Sequence, residues 1–144
     1  MIFQTERFGE IEAEEEELLY LPNGIIGFPD CTSVLLLDHR PNSPFRWLQS
    51  VTLPELAFVV IDPLQIVPDY PLDYLRSTFE KDAKQEVDLA VAVIATVPPS
   101  PAPITINLVA PIVFDANTRK GAQVILHDDR FKTRHVLAHD PPKK

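Results

Sequence analysis

Cys31 is the only cysteine in 144 residues, so no internal disulfide can form and no four-cysteine or mixed zinc site can be assembled within one chain. Glycine is nearly as scarce, with four in the whole sequence. That leaves neither a G-x-G-x-x-G turn nor a Walker loop, and no serine sits in a nucleophile elbow. Nucleotide cofactors are disfavoured, and no cofactor of any kind is expected. No apolar run approaches the roughly 20 residues a spanning helix needs. The N-terminus has no basic segment followed by an apolar one, which predicts a cytoplasmic protein.

Carboxylates outnumber cations, and the formal charge is -8. Such a surface repels a phosphate backbone, so direct nucleic-acid binding is disfavoured and a basic protein is the better-matched partner. Solubility alone also accounts for acidity of this size. Apolar residues at 45% and charged residues at 24% are globular values, and the length suits one domain. We place that domain at 1–137 and expect 138–144, rich in proline and charge, to be a flexible tail.

Fifteen prolines fall mainly between apolar runs, where they block helix continuation and punctuate strands. The chain therefore reads as mostly β. Ile2 to Thr5 and Ile11 to Glu14 flank a turn at Arg7, Phe8 and Gly9 and predict a first hairpin. The run Glu14 to Glu17 is read as a solvated edge or loop, because adjacent carboxylates cannot be buried cheaply. Val34 to Leu37 and Phe45 to Val51 suit strands, and Leu56 to Ile61 and Leu89 to Val97, apolar throughout and rich in β-branched residues, suit central ones. Ile104 to Leu126 predicts a second hairpin. Its first arm is one long strand with Ile104, Ile106, Leu108, Ala110, Ile112 and Phe114 on a single face. Gly121 is expected to supply the positive φ that closes its loop, and Arg119 and Lys120 to be solvated there.

One segment reads as a helix. From Pro71 to about Ala83, apolar Leu72, Leu75 and Phe79 recur at helical steps, Pro71 can take the first helical position, and Glu80 lies one turn before Lys84.

Residue groupings that could carry chemistry are few. His127, His135 and His139 with Asp128, Asp129 and Asp140 form a loose C-terminal group, but Pro141 and Pro142 oppose the helix that would align two of the imidazoles. Asp62 and Asp69 are read as turn and cap residues rather than as paired catalytic carboxylates. Asp69, Tyr70 and Asp73 form an acidic and aromatic cluster suited to a protein contact; Tyr70 packed back on the sheet is the plainer alternative. Asn107, in a strand between Ile106 and Leu108, must find hydrogen-bond partners and so ties a neighbouring strand or turn, with partner contact secondary. The candidate partner-binding residues are thus Asp69, Tyr70, Asp73 and Asn107. No catalytic or metal residue is assigned. An enzyme using His127 and nearby carboxylates is the rival from a different class.

Taken in order, Gly24 to Phe28 (GIIGF), Ser43 to Phe45 with Leu48 to Val51, Pro54 to Pro63 (PELAFVVIDP), Asp69 with Tyr70, Asn107 to Ile112 (NLVAPI), Asn117 to Gly121 (NTRKG) and Arg134 with His135 resemble the flagellar assembly factor FliW family along nearly the whole chain. The resemblance implies a small antiparallel β-barrel-like domain without catalytic activity. It also implies two partners, flagellin and the carbon storage regulator CsrA, an RNA-binding protein that represses translation of flagellin mRNA. On this reading the chain antagonises CsrA by protein-protein binding, and flagellin competes for it. A dedicated flagellin chaperone without a role in RNA control is the alternative. Ile26 and Val136 stand where the family commonly has proline, and Pro71 where an acidic residue would strengthen partner contact.

Overall fold

The computed structural model describes residues 1–38, 41–83, 86–99 and 101–137. Lys84, His139 and Asp140, and the expected tail 138–144, lie outside them. The strands are β1 (Ile2–Thr5), β2 (Gly9–Glu12), β3 (Leu19–Tyr20), β4 (Ser33–Asp38), β5 (Phe45–Ser50) and β6 (Ala57–Ile61). Helix α1 (Leu72–Ala83) follows, then β7 (Leu89–Thr96), β8 (Thr105–Ile106), β9 (Ile112–Asp115), β10 (Gly121–Gln123) and β11 (His135–Val136).

β1 and β2 form their own antiparallel hairpin. Thr5 pairs with Gly9 across the three-residue loop, and Gly9 takes φ 68, the left-handed residue that such a loop requires. The Thr5 hydroxyl donates to the Gly9 carbonyl and accepts from the Phe8 N–H. The acidic run is exposed as expected, with Glu15–Glu17 in one 3-10 turn.

The other nine strands make one sheet in the order β10-β9-β7-β6-β5-β4-β3, with β8 on β7 and β11 on β8. Every strand pairing in it is antiparallel. The long β7 gives Leu89 to Ala92 to β9 and its last two residues to β8. β6 and β7 are central, and Val60, Ile61 and Val93 are almost fully buried.

The expected barrel does not form. The sheet is open; between its end strands the described residues show one isolated bridge, Tyr20 with Lys120, where the Tyr20 N–H donates to the Arg119 carbonyl at 2.8 Å. β3 has two residues and β10 three, too few paired groups for the continuous ladder that closure demands.

Nor is Ile104 to Phe114 one strand. Asn107 Oδ1 accepts from the Val109 and Ala110 N–H groups at 3.0 and 3.2 Å, an Asx-type turn, and Pro111 has no N–H to continue a ladder. β8 and β9 lie on either side of that break, both on β7. The single-face pattern fails with it, since Thr105, Val113 and Asp115 are buried along with Ile106 and Ile112.

Gly121 does not have a positive φ; Arg119 does, at 62°. A Cβ at Gly121 would instead run into the Phe114 ring and the Val113 carbonyl, so close packing selects glycine there. Arg119 is half-buried, with a buried Nε, rather than freely solvated.

Alternation along the strands serves two main cores. Ile61, Val93, Ile106 and Val113 pack with Leu75 of α1, Tyr70 and Phe131. Val60, Ile112 and Phe114 face the other way, onto Leu21, Ile25, Cys31, Val34 and Leu48. A third cluster joins the β1–β2 hairpin, through Phe3 and Ile11, to Leu35 and Leu37 of β4.

Helix α1 begins where proline allows. Pro71 stands one residue before it, and its carbonyl accepts the first helical bond, from the Leu75 N–H. Arg76 Nη1 donates to the Val87 carbonyl, and Glu80 accepts from the Val87 N–H, fastening the helix to the segment that enters β7.

Candidate partner-binding face

After β6 the chain turns at Asp62, whose carboxylate accepts from the Leu64 N–H at 2.9 Å, a capping role for the short 3-10 turn Pro63–Gln65. Asp69 and Tyr70 come next, pointing in opposite senses. The Asp69 side chain is 79% exposed. Tyr70 is buried; its hydroxyl donates to the Leu108 carbonyl at 2.6 Å, and its ring meets Phe131 edge-on at 5.0 Å. Burial pushes the Tyr70 pKa far up, so the phenol is a fixed donor.

That bond links two of the cluster's residues. Asn107 shapes the turn at 107–110 and Leu108 lies within it, so Asn107 sets the carbonyl on which Tyr70 is anchored. Asp73 and Tyr74 lie in the first turn of α1, both exposed. The structure thus brings Asp69, Tyr70 and Asn107 into one supported corner, with Asp73 beside it on the helix. Tyr70 and Asn107 act from below, and Asp69 and Asp73 face outward.

Arg130, Asp128 and Phe131 belong to the same corner and were not selected from the sequence for it. Arg130 grips Asp128 through Nη2 at 2.8 Å and Nε at 3.1 Å, rests 5.0 Å from the centre of the Phe131 ring, and comes within 3.9 Å of Asp69. Hydrogen bonds from the Arg130 side chain and backbone hold the Asp128 carboxyl below its ordinary range. The signal available was Asp128 two residues before Arg130, an Asx turn in which the Arg130 N–H also donates to Asp128.

His127 is exposed and His135 lies in β11. Among the described residues no group of three or more His, Cys, Asp or Glu side chains is placed to hold a metal, and no helix is long and apolar enough to cross a membrane.

A mostly β chain with one helix and an open antiparallel sheet, carrying an acidic corner braced from within, defines a class of small sheet protein. Residues 2–137 match the family described as FliW protein. The flagellar assembly factor FliW of Alkaliphilus metalliredigens is 37% identical over 145 residues, covering 99% of this chain and 90% of that protein. That of Syntrophus aciditrophicus is 38% identical over 138 residues, covering 95% and 87%. A crystal structure of the flagellar assembly factor FliW superposes with a TM-score of 0.82 at 37% identity, with all of both chains covered. The chain belongs to the FliW family of flagellar assembly factors.

Proposed function

We propose that this chain binds flagellin and the carbon storage regulator CsrA in the cytoplasm, and that its hold on CsrA relieves repression of flagellin mRNA translation. Membership of a flagellar assembly factor family carries the reading. The acidic corner supports it physically, since exposed carboxylates beside a rigid base suit a basic polypeptide. The protein acts by binding alone, without catalytic residue, cofactor or metal, through residues 1–137.

Within this reading Asp69 and Asp73 touch the partner, while Tyr70 and Asn107 hold the surface in shape. A negatively charged body docked beside an RNA site also raises the cost of bringing phosphates there. A gel shift tests the proposal: the purified chain should release flagellin mRNA from CsrA, and Asp69→Asn with Asp73→Asn should need more protein to do so. Failure of the native chain at a large excess over CsrA, with flagellin binding intact, would leave a dedicated flagellin chaperone as the better account.

A further inference from the structure

Asn23 and Gly24 form the single Asn-Gly pair in the chain. Such a pair is prone to lose ammonia, because a glycine nitrogen with no Cβ beside it can readily attack the asparagine side chain. The pair lies in the loop 21–31, whose neck closes where the Leu21 N–H donates to the Thr32 carbonyl at 2.8 Å. Leu21, Ile25 and Cys31 anchor that loop in the core built with Val34, Val60 and Ile112, while Asn23 is exposed. Residues 21–24 make a tight turn, closed by the Gly24 N–H donating to the Leu21 carbonyl at 2.8 Å. Pro22 in second place and an Asn23 without positive φ fit a type I turn, whose third residue has ψ of about 0°. Gly24 has φ 71, and a Cβ on it would run into the carbonyl oxygens of Phe28 and Pro29. The following turn is tied to the sheet: the Ile26 N–H donates to Gln123 Oε1 at 2.7 Å, and Gln123 Nε2 donates to the Ala110 carbonyl at 3.0 Å.

We propose that Asn23 is a deamidation site that the folded loop keeps shut, so that it is modified only when 21–31 opens. In the reaction the Gly24 nitrogen gives up its proton and bonds to the Asn23 side-chain carbonyl carbon. The bond from that carbon to the amide nitrogen breaks, and the amide leaves with the proton as ammonia. Water then opens the five-membered imide at either carbonyl, giving aspartate or isoaspartate. The native loop opposes ring closure in three ways. The Gly24 N–H is already committed to Leu21. A five-membered ring needs Cβ of Asn23 and the Gly24 nitrogen eclipsed, roughly 120° in ψ from the value the turn holds. Gly24, packed against two carbonyls, has no room to make that rotation. Isoaspartate then adds one carbon to the backbone path, and a loop anchored at Leu21 and Cys31 cannot re-form its turn around it. The modification therefore retains the open state that allowed it.

The test uses neither flagellin nor CsrA, so its outcome is separable from that of the proposed function. The full chain is held at mildly alkaline pH, and the peptide containing Asn23 is followed by mass for its gain of one unit and its split into aspartate and isoaspartate forms. Cys31, the single cysteine and fully buried, reports opening of the same loop through its labelling by a thiol reagent. The chain in concentrated urea supplies the unprotected rates, and there Asn23 should react before the other asparagines. In the folded chain both reactions should run at least about tenfold more slowly, set by the population of the open loop. Gln123→Met unties Ile26 at similar side-chain length and should speed both together about tenfold. Should that variant fail to fold by circular dichroism, urea below the unfolding transition serves in its place, with both rates rising less steeply than global unfolding predicts. Refolded chains with isoaspartate at 23 should label at Cys31 faster than those with aspartate. Equal Asn23 rates in folded and unfolded chains, Cys31 labelling that rises without deamidation, a urea slope equal to that of global unfolding, or isoaspartate chains that label no faster would overturn the proposal.

Discussion

Tyr70 shows how one side chain can organise a surface without belonging to it. Its hydroxyl is the donor on the buried Leu108 carbonyl, so Tyr70→Phe keeps the ring against Phe131 but leaves that acceptor unmet. A loss of about 1–3 kcal/mol in urea-unfolding stability is expected, with partner affinity falling less than for Asp69→Asn with Asp73→Asn; the reverse order would place Tyr70 itself at the contact. Asp115 is the deeper polar residue. Burial pushes its carboxyl up, but the backbone N–H groups of Asn117 and Asp88 and the Thr118 hydroxyl, all donating to it, hold it below its ordinary range. A depressed folded pKa means stability that is fully present above the unfolded value of about 3.9 and is lost as pH falls through the folded one. Thermal melts between neutral pH and pH 2 should show an acid-side fall that is shallower in Asp115→Ala, itself less stable at neutral pH. An unchanged acid limb would mean that other carboxylates dominate.

At the scale of elements, two glycines separate two reasons for the same residue. Gly9 has a left-handed φ and open space around its missing Cβ, whereas Gly121 lies against Phe114 and the Val113 carbonyl. Gly9→Ala should cost about 1 kcal/mol, the strain of the turn. Gly121→Ala should cost more, about 2–3 kcal/mol, because the β9–β10 ladder must shift. Paired denaturant titrations decide it, and equal losses would remove the packing argument for Gly121. Composition points to Gly121 as the turn residue, but the contact that selects glycine there comes from the facing strand. Strands β4, β6 and β7 were legible because runs as apolar as Val34–Leu37, Ala57–Ile61 and Leu89–Ala95 have few other fates. The break between β8 and β9 was not, because Leu108 and Ala110 keep the period of two while Asn107 and Pro111 end the ladder beneath it. The candidate corner was half legible. Asp69, Tyr70 and Asp73 are neighbours along the chain, but Arg130 and Asp128 reach them only through the fold.

For the whole molecule, the formal charge of -8 acts at distances that no single contact spans. Under the proposed function, the partner must present cationic side chains, and opposite fields chiefly raise the rate of encounter. Association with CsrA should therefore slow as salt rises toward 0.5 M, where screening cuts the field to a few ångströms, while dissociation changes less. Asp69 and Asp73 are exposed, so removing their charges should act on the same step. Asp69→Asn with Asp73→Asn should slow association roughly threefold at low salt, flatten the salt dependence, and leave dissociation within about twofold. Stopped-flow or surface-based kinetics at several salt concentrations would resolve the two rates. If the double variant instead speeds dissociation and leaves association alone, these carboxylates form desolvated contacts in the complex, and the acidity of the rest of the chain serves solubility.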